Sequence, residues 1–458
     1  MSAAEQMKEK LGEGLCLAKW QQVSLHLPTG LTNSCYHPPL HEIDATLLKN
    51  NPSALHNTPH KKEQRRIMLR NERPAECQYC WNMEDLGQLS DRHYRSGEPW
   101  AAVDFERIRN STGDEDDVIP SYVEVNFNHA CNLQCSYCSP QFSSSWMDEV
   151  TRHGAYPTSN PHNDPAHFVG SRRPIPVREA NPYVDAFWEW WPELRKTLNI
   201  MRVTGGEPTL HKSTWTLLDK IDEDPMPWLE LNINSNLGTK NILIERLATK
   251  VRKLYDEKKI RTFKLFTSMD TWGERAEYIR TGLELELWEK NFHTYLTLSG
   301  APITFMITFN IFSVTTFKSL LEKFLEWRKQ YGWYEGRKEH MIRFDTPYLR
   351  DPIQYDMNIL PKEEFMPYMY ESLKFMEDNL DDNRADAFST IEYEKFKRVV
   401  DYMAETVYSE EKLVEGRRDF YNWFNELDDR RETDMLSVFP EMMDFYRLCQ
   451  EVNLTNPL

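Results

Sequence analysis

Cys131-Asn132-Leu133-Gln134-Cys135-Ser136-Tyr137-Cys138 puts three thiols into eight residues. A four-iron cubane takes one thiolate per iron, so a loop that donates three leaves one iron open to a small chelating molecule. Zinc is the competing metal, but a structural zinc site wants four closed tetrahedral ligands, and the nearest fourth candidate, His129, lies only two residues before Cys131. A second set, Cys16, Cys35, Cys77 and Cys80, makes one complete ligand set on its own. Cys449 stands apart and reads as a small buried hydrophobe. Three further groups carry polar chemistry: Gly205-Gly206-Glu207-Pro208, Asn234-Ser235-Asn236 and Ser268-Met269-Asp270. Glycines admit a close backbone approach. Ser, Asn and Asp suit a ligand contact and equally suit the start of a helix.

Each group follows a β-favouring run. Residues 122–127 (Tyr-Val-Glu-Val-Asn-Phe) lead into the three-cysteine loop, 199–204 end at Gly205, 228–233 end at Asn234, and 261–267 end at Ser268. Runs at 303–311 and 341–344 make a fifth and a sixth strand. Helical spacing separates them: Ile242, Leu243, Leu247, Val251 and Leu254 fit one face, and Phe317, Leu320, Leu321, Phe324 and Leu325 another. Strands alternating with helices predict an α/β fold of parallel βαβ crossovers, whose polar strand ends gather on one rim. Beyond Pro361 the pattern is helical only, with stripes Phe396, Val399, Val400, Met403, Val407 and Phe420, Phe424, Leu427.

The polar, acidic stretch 111–117 reads as a solvated boundary, giving an N-terminal module (1–110), a core (118–350) and a helical extension (351–458). Residues 141–181, broken by Pro157, Pro161, Pro165, Pro174 and Pro176, are either a lid over the active rim or a disordered loop. In the N-terminal module, residues 22–27 alternate polar and apolar before the turn Pro28-Thr29-Gly30, predicting a β-hairpin that brings Cys16 and Cys35 together. A helix carrying Lys61, Lys62, Arg65, Arg66 and Arg70 as a solvated face then leads to Cys77 and Cys80. Residues 378–383 are acidic but lack the Gly that a calcium loop needs at its turn.

The 55 basic against 72 acidic residues leave a net charge of −17, a field that repels phosphate backbones and anionic lipid surfaces unless a local basic patch overrides it. Nucleic acid is therefore an unfavoured partner. No apolar run approaches the roughly 20 residues that span a bilayer, and residues 1–14 are polar, so a cytoplasmic protein with reduced thiols and no membrane partner is expected.

The spacing CxxxCxφC, with Tyr137 as the aromatic φ, followed one strand later by Gly205-Gly206-Glu207-Pro208, resembles the radical S-adenosylmethionine (SAM) superfamily. The resemblance covers about residues 120 to 350 and implies a partial (β/α)6 TIM-like barrel of the radical SAM type. It implies that Cys131, Cys135 and Cys138 hold a [4Fe–4S] cluster whose open iron is chelated by the amino and carboxylate groups of SAM. The Gly205–Pro208 backbone would contact the SAM amino group. Ser268 and Asp270 resemble ribose contacts, and Asn234, Ser235 and Asn236 lie near the same ligand. Tyr278-Ile279-Arg280-Thr281-Gly282 resembles a segment whose Arg pairs with the SAM carboxylate through its planar fork. The implied reaction is reductive cleavage of SAM to a 5′-deoxyadenosyl radical that abstracts hydrogen from a peptide or small molecule, fed by an external one-electron donor such as flavodoxin or ferredoxin. No residue is assigned to catalysis itself.

The N-terminal cysteines, with Glu84, Gly87, Ser90 and Arg92 in the pattern CxxCWxxExxGxxSxR, resemble the twitch domain, a half-sized relative of the SPASM domain that holds one auxiliary [4Fe–4S] cluster. Familiar twitch modules follow the barrel, whereas this one precedes it. Zinc on the same four thiolates is the rival occupant. Two other functions stay open: an electron-transfer or structural iron–sulfur protein that never cleaves SAM, and a radical RNA-modifying enzyme, which would need a basic groove.

Overall fold

In 122–126, alternation sends Val123 and Val125 to one side and Glu124 and Asn126 to the other, the period of a strand. The computed structural model describes residues 2–111, 117–160, 163–168, 170–334 and 337–458. Most of the predicted acidic boundary and Pro161 lie outside the described residues. Among them, β1 (Gln22–His26), β2 (Leu31–Asn33) and β3 (His41–Glu42) precede β4 (Tyr122–Asn126) and β5 (Gln134–Cys135). After these come β6 (Ile200–Thr204), β7 (Met226–Asn234), β8 (Ile260–Thr267), β9 (Arg280–Thr281), β10 (Ile303–Met306) and β11 (Ile342–Asp345).

Nine strands form a large, mostly parallel sheet in the order β11-β10-β8-β7-β6-β4-β1-β2-β3, with helices between successive core strands. All six anticipated core strands form, and they pair in chain order. β4 pairs parallel with β6 and β6 with β7; β8 pairs parallel with β10 and β10 with β11. The fifth strand is shorter than its apolar run, ending at Met306, with an isolated parallel bridge between Phe309 and Tyr348 beyond it.

The predicted hairpin forms from β1 and β2 and does more than expected, because β1 also pairs parallel with β4, from Gln22↔Tyr122 to His26↔Asn126. The sheet thus gains three strands from the N-terminal module. Backbone contacts divide the chain into two compact units: Met1–Ala130, Val169–Asn234 and Leu254–Phe263, and Cys131–Phe168, Ser235–Lys253 and Lys264–Leu458.

In the first unit, Val123, Val125, Met201, Val203, Leu231 and Ile233 are fully buried on one sheet face, while Glu124, Asn126, Arg202, Thr204, Asn232 and Asn234 occupy the other. A satellite core of Leu11, Leu17, Trp20, Met68, Trp81 and Ile108 supports the cysteine-bearing segments. The basic helix, Pro59–Leu69, departs from the expected solvated face. Lys61 and Arg65 point inward: Lys61 donates to the Thr32 hydroxyl at 2.8 Å, and Arg65 donates to the Lys19 carbonyl at 3.1 Å and Asn57 Oδ1 at 2.8 Å. Long stems and hydrogen-bonded heads let both cations be buried where only their type suggested solvent.

The second unit carries the helices Ser313–Tyr331, Lys362–Asp378, Thr390–Glu405, Glu410–Arg431 and Met443–Thr455. The stripe Phe396, Val399, Val400, Met403 is buried, but Val407 lies past the helix end and is exposed. Ile242 is likewise exposed, with Ile244 taking the core position. Part of 141–181 is regular and packed: it contains the helix Ser144–His153, and Ser159 N–H donates to both oxygens of the buried Asp419 at 2.9 and 3.0 Å. Tyr156 stacks on Trp423 at 4.1 Å between ring centroids. Among the described residues no helix is long and apolar enough to cross a membrane.

Candidate functional site

The three-cysteine loop leaves the end of β4 and is clamped on two sides. β5 pairs antiparallel with β9, setting Gln134 against Thr281 and Cys135 against Arg280, and the Ser136 N–H donates to the Ile279 carbonyl at 2.7 Å. The segment 278–282 is therefore a splint for the loop. The other side is the start of the helix Ser144–His153. Ser143 Oγ donates to the Leu133 carbonyl at 3.2 Å, Ser145 Oγ to the Cys131 carbonyl at 3.1 Å, and Trp146 Nε1 to the Cys135 carbonyl at 2.8 Å. The sequence reading passed over these residues, although three serines and a Trp so soon after the last cysteine were the available signal. All three thiols are half-buried, and burial pushes Cys138 up to about 12. Binding a metal would release those protons.

Arg280, Tyr137 and Asp270 form one buried network. Asp270 Oδ2 accepts from the Tyr137 hydroxyl at 2.6 Å and pairs with Arg280 Nη2 at 2.9 Å, while Oδ1 accepts the Thr308 N–H at 2.9 Å. Arg280 Nη2 also donates to the Tyr137 hydroxyl, and Nη1 lies 3.5 Å from Cys135 Sγ. Burial pushes the Asp270 carboxyl above its ordinary value, while Arg280, Tyr137 and Thr308 pull it down. Both Asp270 oxygens are occupied and the residue is 1% exposed, so it is an anchor here rather than an open polar contact. Ser268, beside it, is half-buried and makes no side-chain hydrogen bond among the described residues.

Gly205-Gly206-Glu207-Pro208 lies along the segment that precedes Cys131. A Cβ on Gly206 would stand 2.2 Å from the Ala130 carbonyl oxygen, and one on Gly205, which has φ +121°, 2.2 Å from Asn126 Oδ1. Only glycine admits that approach. The Gly206 and Glu207 N–H groups are spent on the Asn128 and Ala130 carbonyls, at 3.2 and 2.7 Å. What this turn can offer a ligand is carbonyl oxygen, an acceptor. Glu207 is buried and caps the turn Pro208–Leu210, accepting from Thr209 N–H at 3.0 Å and its hydroxyl at 2.7 Å.

At the end of β7, Asn234 Oδ1 accepts from Arg202 Nε at 3.0 Å. Ser235 is buried and its hydroxyl accepts the Leu237 N–H at 3.2 Å, forming a local turn. Asn236 reaches the cysteine loop: its Nδ2 lies 3.7 Å from Cys131 Sγ and donates to Asn132 Oδ1 at 2.9 Å. Of the three residues, Asn236 alone meets the thiols.

Cys16, Cys35, Cys77 and Cys80 line one cavity together with Lys19 and Arg92. The one-turn helix Ala18–Gln21 folds Cys16 back beside β1, and Cys35 follows β2. Burial pushes the Cys35, Cys77 and Cys80 thiols up to about 12. The residues of the CxxCWxxExxGxxSxR pattern support these positions. Arg92 Nε donates to Glu84 Oε1 at 2.8 Å and Nη1 to the Leu15 carbonyl at 2.7 Å, while the Ser90 hydroxyl donates to Glu84 Oε1 at 2.5 Å. Among the described residues no group of three or more His, Cys, Asp or Glu is disposed to hold a single metal ion. Four thiols lining one cavity are a donor set that suits a thiolate-bound iron–sulfur cluster or zinc. No protein-family model and no curated protein sequence matches the chain.

Proposed function

We propose that this chain is a two-cluster radical SAM enzyme acting on a peptide or small molecule. The observation that carries the reading is the convergence of Tyr137, Asp270 and Arg280, from three separate segments of the resemblance, on one buried network that reaches Cys135. Cys131, Cys135 and Cys138 would hold the first [4Fe–4S] cluster, and Cys16, Cys35, Cys77 and Cys80 the auxiliary one. When bound, the first cluster and SAM supply one-electron cleavage of the sulfonium and hence hydrogen abstraction.

The chain's own residues orient and enclose. Arg280 and Asn236 hold the loop and donate toward the Cys135 and Cys131 sulfurs, and the Arg280 charge opposes the burial that pushes the Cys135 thiol up. Ser268 is the free hydroxyl that fits a ribose contact. The buried Leu133 and Trp146 keep water from the back of the loop. A partial barrel is supported by the six core strands β4, β6, β7, β8, β10 and β11, which neighbour one another in chain order. The polar face of β4, β6 and β7 supports it too, since a parallel sheet covered by helices on both sides would be apolar on both.

A second reading, an iron–sulfur protein that never cleaves SAM, is favoured by one fact: Asp270, Arg280 and Glu207 are all engaged in internal bonds. One experiment separates the two. Anaerobically reconstituted protein given dithionite and SAM is expected to yield 5′-deoxyadenosine by mass spectrometry, and Cys135→Ala to abolish it. Unchanged yield in that variant, or no yield from protein carrying about eight irons, overturns the assignment.

A further inference from the structure

We propose that Lys19 raises the reduction potential of the N-terminal cluster and so poises it to receive an electron. The proposal rests on the reading that Cys16, Cys35, Cys77 and Cys80 hold an iron–sulfur cluster. Lys19 belongs to the helical turn that begins two residues after Cys16, and its N–H donates to the Cys16 carbonyl at 3.1 Å. Its side chain is 2% exposed and lines the cavity shared by the four thiols. An ammonium so deeply buried is tolerated only where negative charge surrounds it. The carboxylate that meets it is Glu76, next in sequence to Cys77, and Glu76 is shared with His60 at 2.6 Å.

A neighbouring lysine gives the contrast. Lys61, also buried, donates to the neutral Thr32 hydroxyl, and burial with Arg65 and Lys19 nearby pushes it well below the usual lysine range. Lys19 instead meets the Glu76 carboxylate and lines the cavity of the four thiols. A cluster held by these four cysteines would put its negative charge on the cavity side of Lys19. A cubane with four thiolates carries a net charge of about −2 when oxidised and about −3 when reduced, so a fixed cation beside it favours the added electron.

The test uses the full chain with Cys131, Cys135 and Cys138 changed to Ala, so that only the N-terminal cluster remains, titrated by EPR-monitored reduction after reconstitution. Lys19→Met is expected to shift the midpoint to lower potential, and Lys19→Arg to leave it close to the parent value. Glu76→Gln, which removes the opposing charge, is expected to shift it upward and gives an independent sign if Lys19→Met does not assemble. Equal iron content with unmoved midpoints in Lys19→Met and Glu76→Gln overturns the Lys19 proposal alone. A parent chain that takes up zinc or no iron at these four cysteines overturns the cluster reading and the proposal with it.

Discussion

At the residue scale, Asp270 is the side chain on which the candidate site leans most, since Tyr137, Arg280 and Thr308 all bond to it. Asp270→Ala leaves the Arg280 guanidinium buried without its countercharge, a change that typically destabilises by about 3–5 kcal/mol. Urea unfolding is expected to report that loss, with Asp270→Ala/Arg280→Met costing less than the two single changes summed. A second prediction concerns His26, on the polar face of β1, whose imidazole burial lowers from 6.5 to about 4. The folded value lies below the unfolded one, so the unfolded state takes the proton first as pH falls. Its contribution is complete above about pH 6.5 and lost toward pH 4. Between pH 7 and 5 the chain should lose about 2 kcal/mol that His26→Gln does not lose, measured as the difference in urea midpoints. The cysteine spacing was legible because ligand loops are local in sequence. The partners of Asp270 were not, because Arg280 and Thr308 reach it only through the fold.

At the scale of elements, the strands were legible because alternation of Val, Ile and polar residues is a two-residue signal, and the helical stripes because theirs is also short. What the pattern could not carry was partnership between distant elements. β1 reads as half of a hairpin, yet its second edge pairs with β4, and that choice depends on backbone edges rather than side chains. The C-terminal helix Glu410–Arg431 is a similar case. It reads as a cap, yet Arg431 at its end donates to the Gln134 carbonyl and the Thr281 hydroxyl, both at 2.9 Å, and pairs with Glu149 at 3.2 Å. One guanidinium thus ties that helix to β5, β9 and the helix Ser144–His153. Arg431→Ala is expected to speed amide hydrogen exchange in 134–136 and 279–281 at least several-fold, while the Phe420–Phe424 core stays protected. Uniform acceleration across the chain would mean that Arg431 supports the unit as a whole and not the cysteine loop.

At the scale of the whole molecule, the net charge of −17 bears on how an electron could arrive. For an electron donor that is itself acidic, encounter would take place against like charge. Repulsion between two acidic bodies is screened by salt over a Debye length of about 8 Å at physiological ionic strength, and the association rate then rises with added salt. The opposite slope, a rate that falls with salt, requires a cationic landing patch strong enough to override the global field. The described basic residues that line the N-terminal cysteine cavity do not favour such a patch, because Lys19 and Arg92 pair with Glu76 and Glu84 and Arg95 lies over the Tyr36 ring. Reduction of the reconstituted protein by an acidic flavodoxin, followed optically under anaerobic conditions, is therefore expected to accelerate between 20 and roughly 150 mM salt. A steady decline over that range would locate the docking charge on some face whose cations are unpaired, and would overturn the view that the overall field governs the encounter.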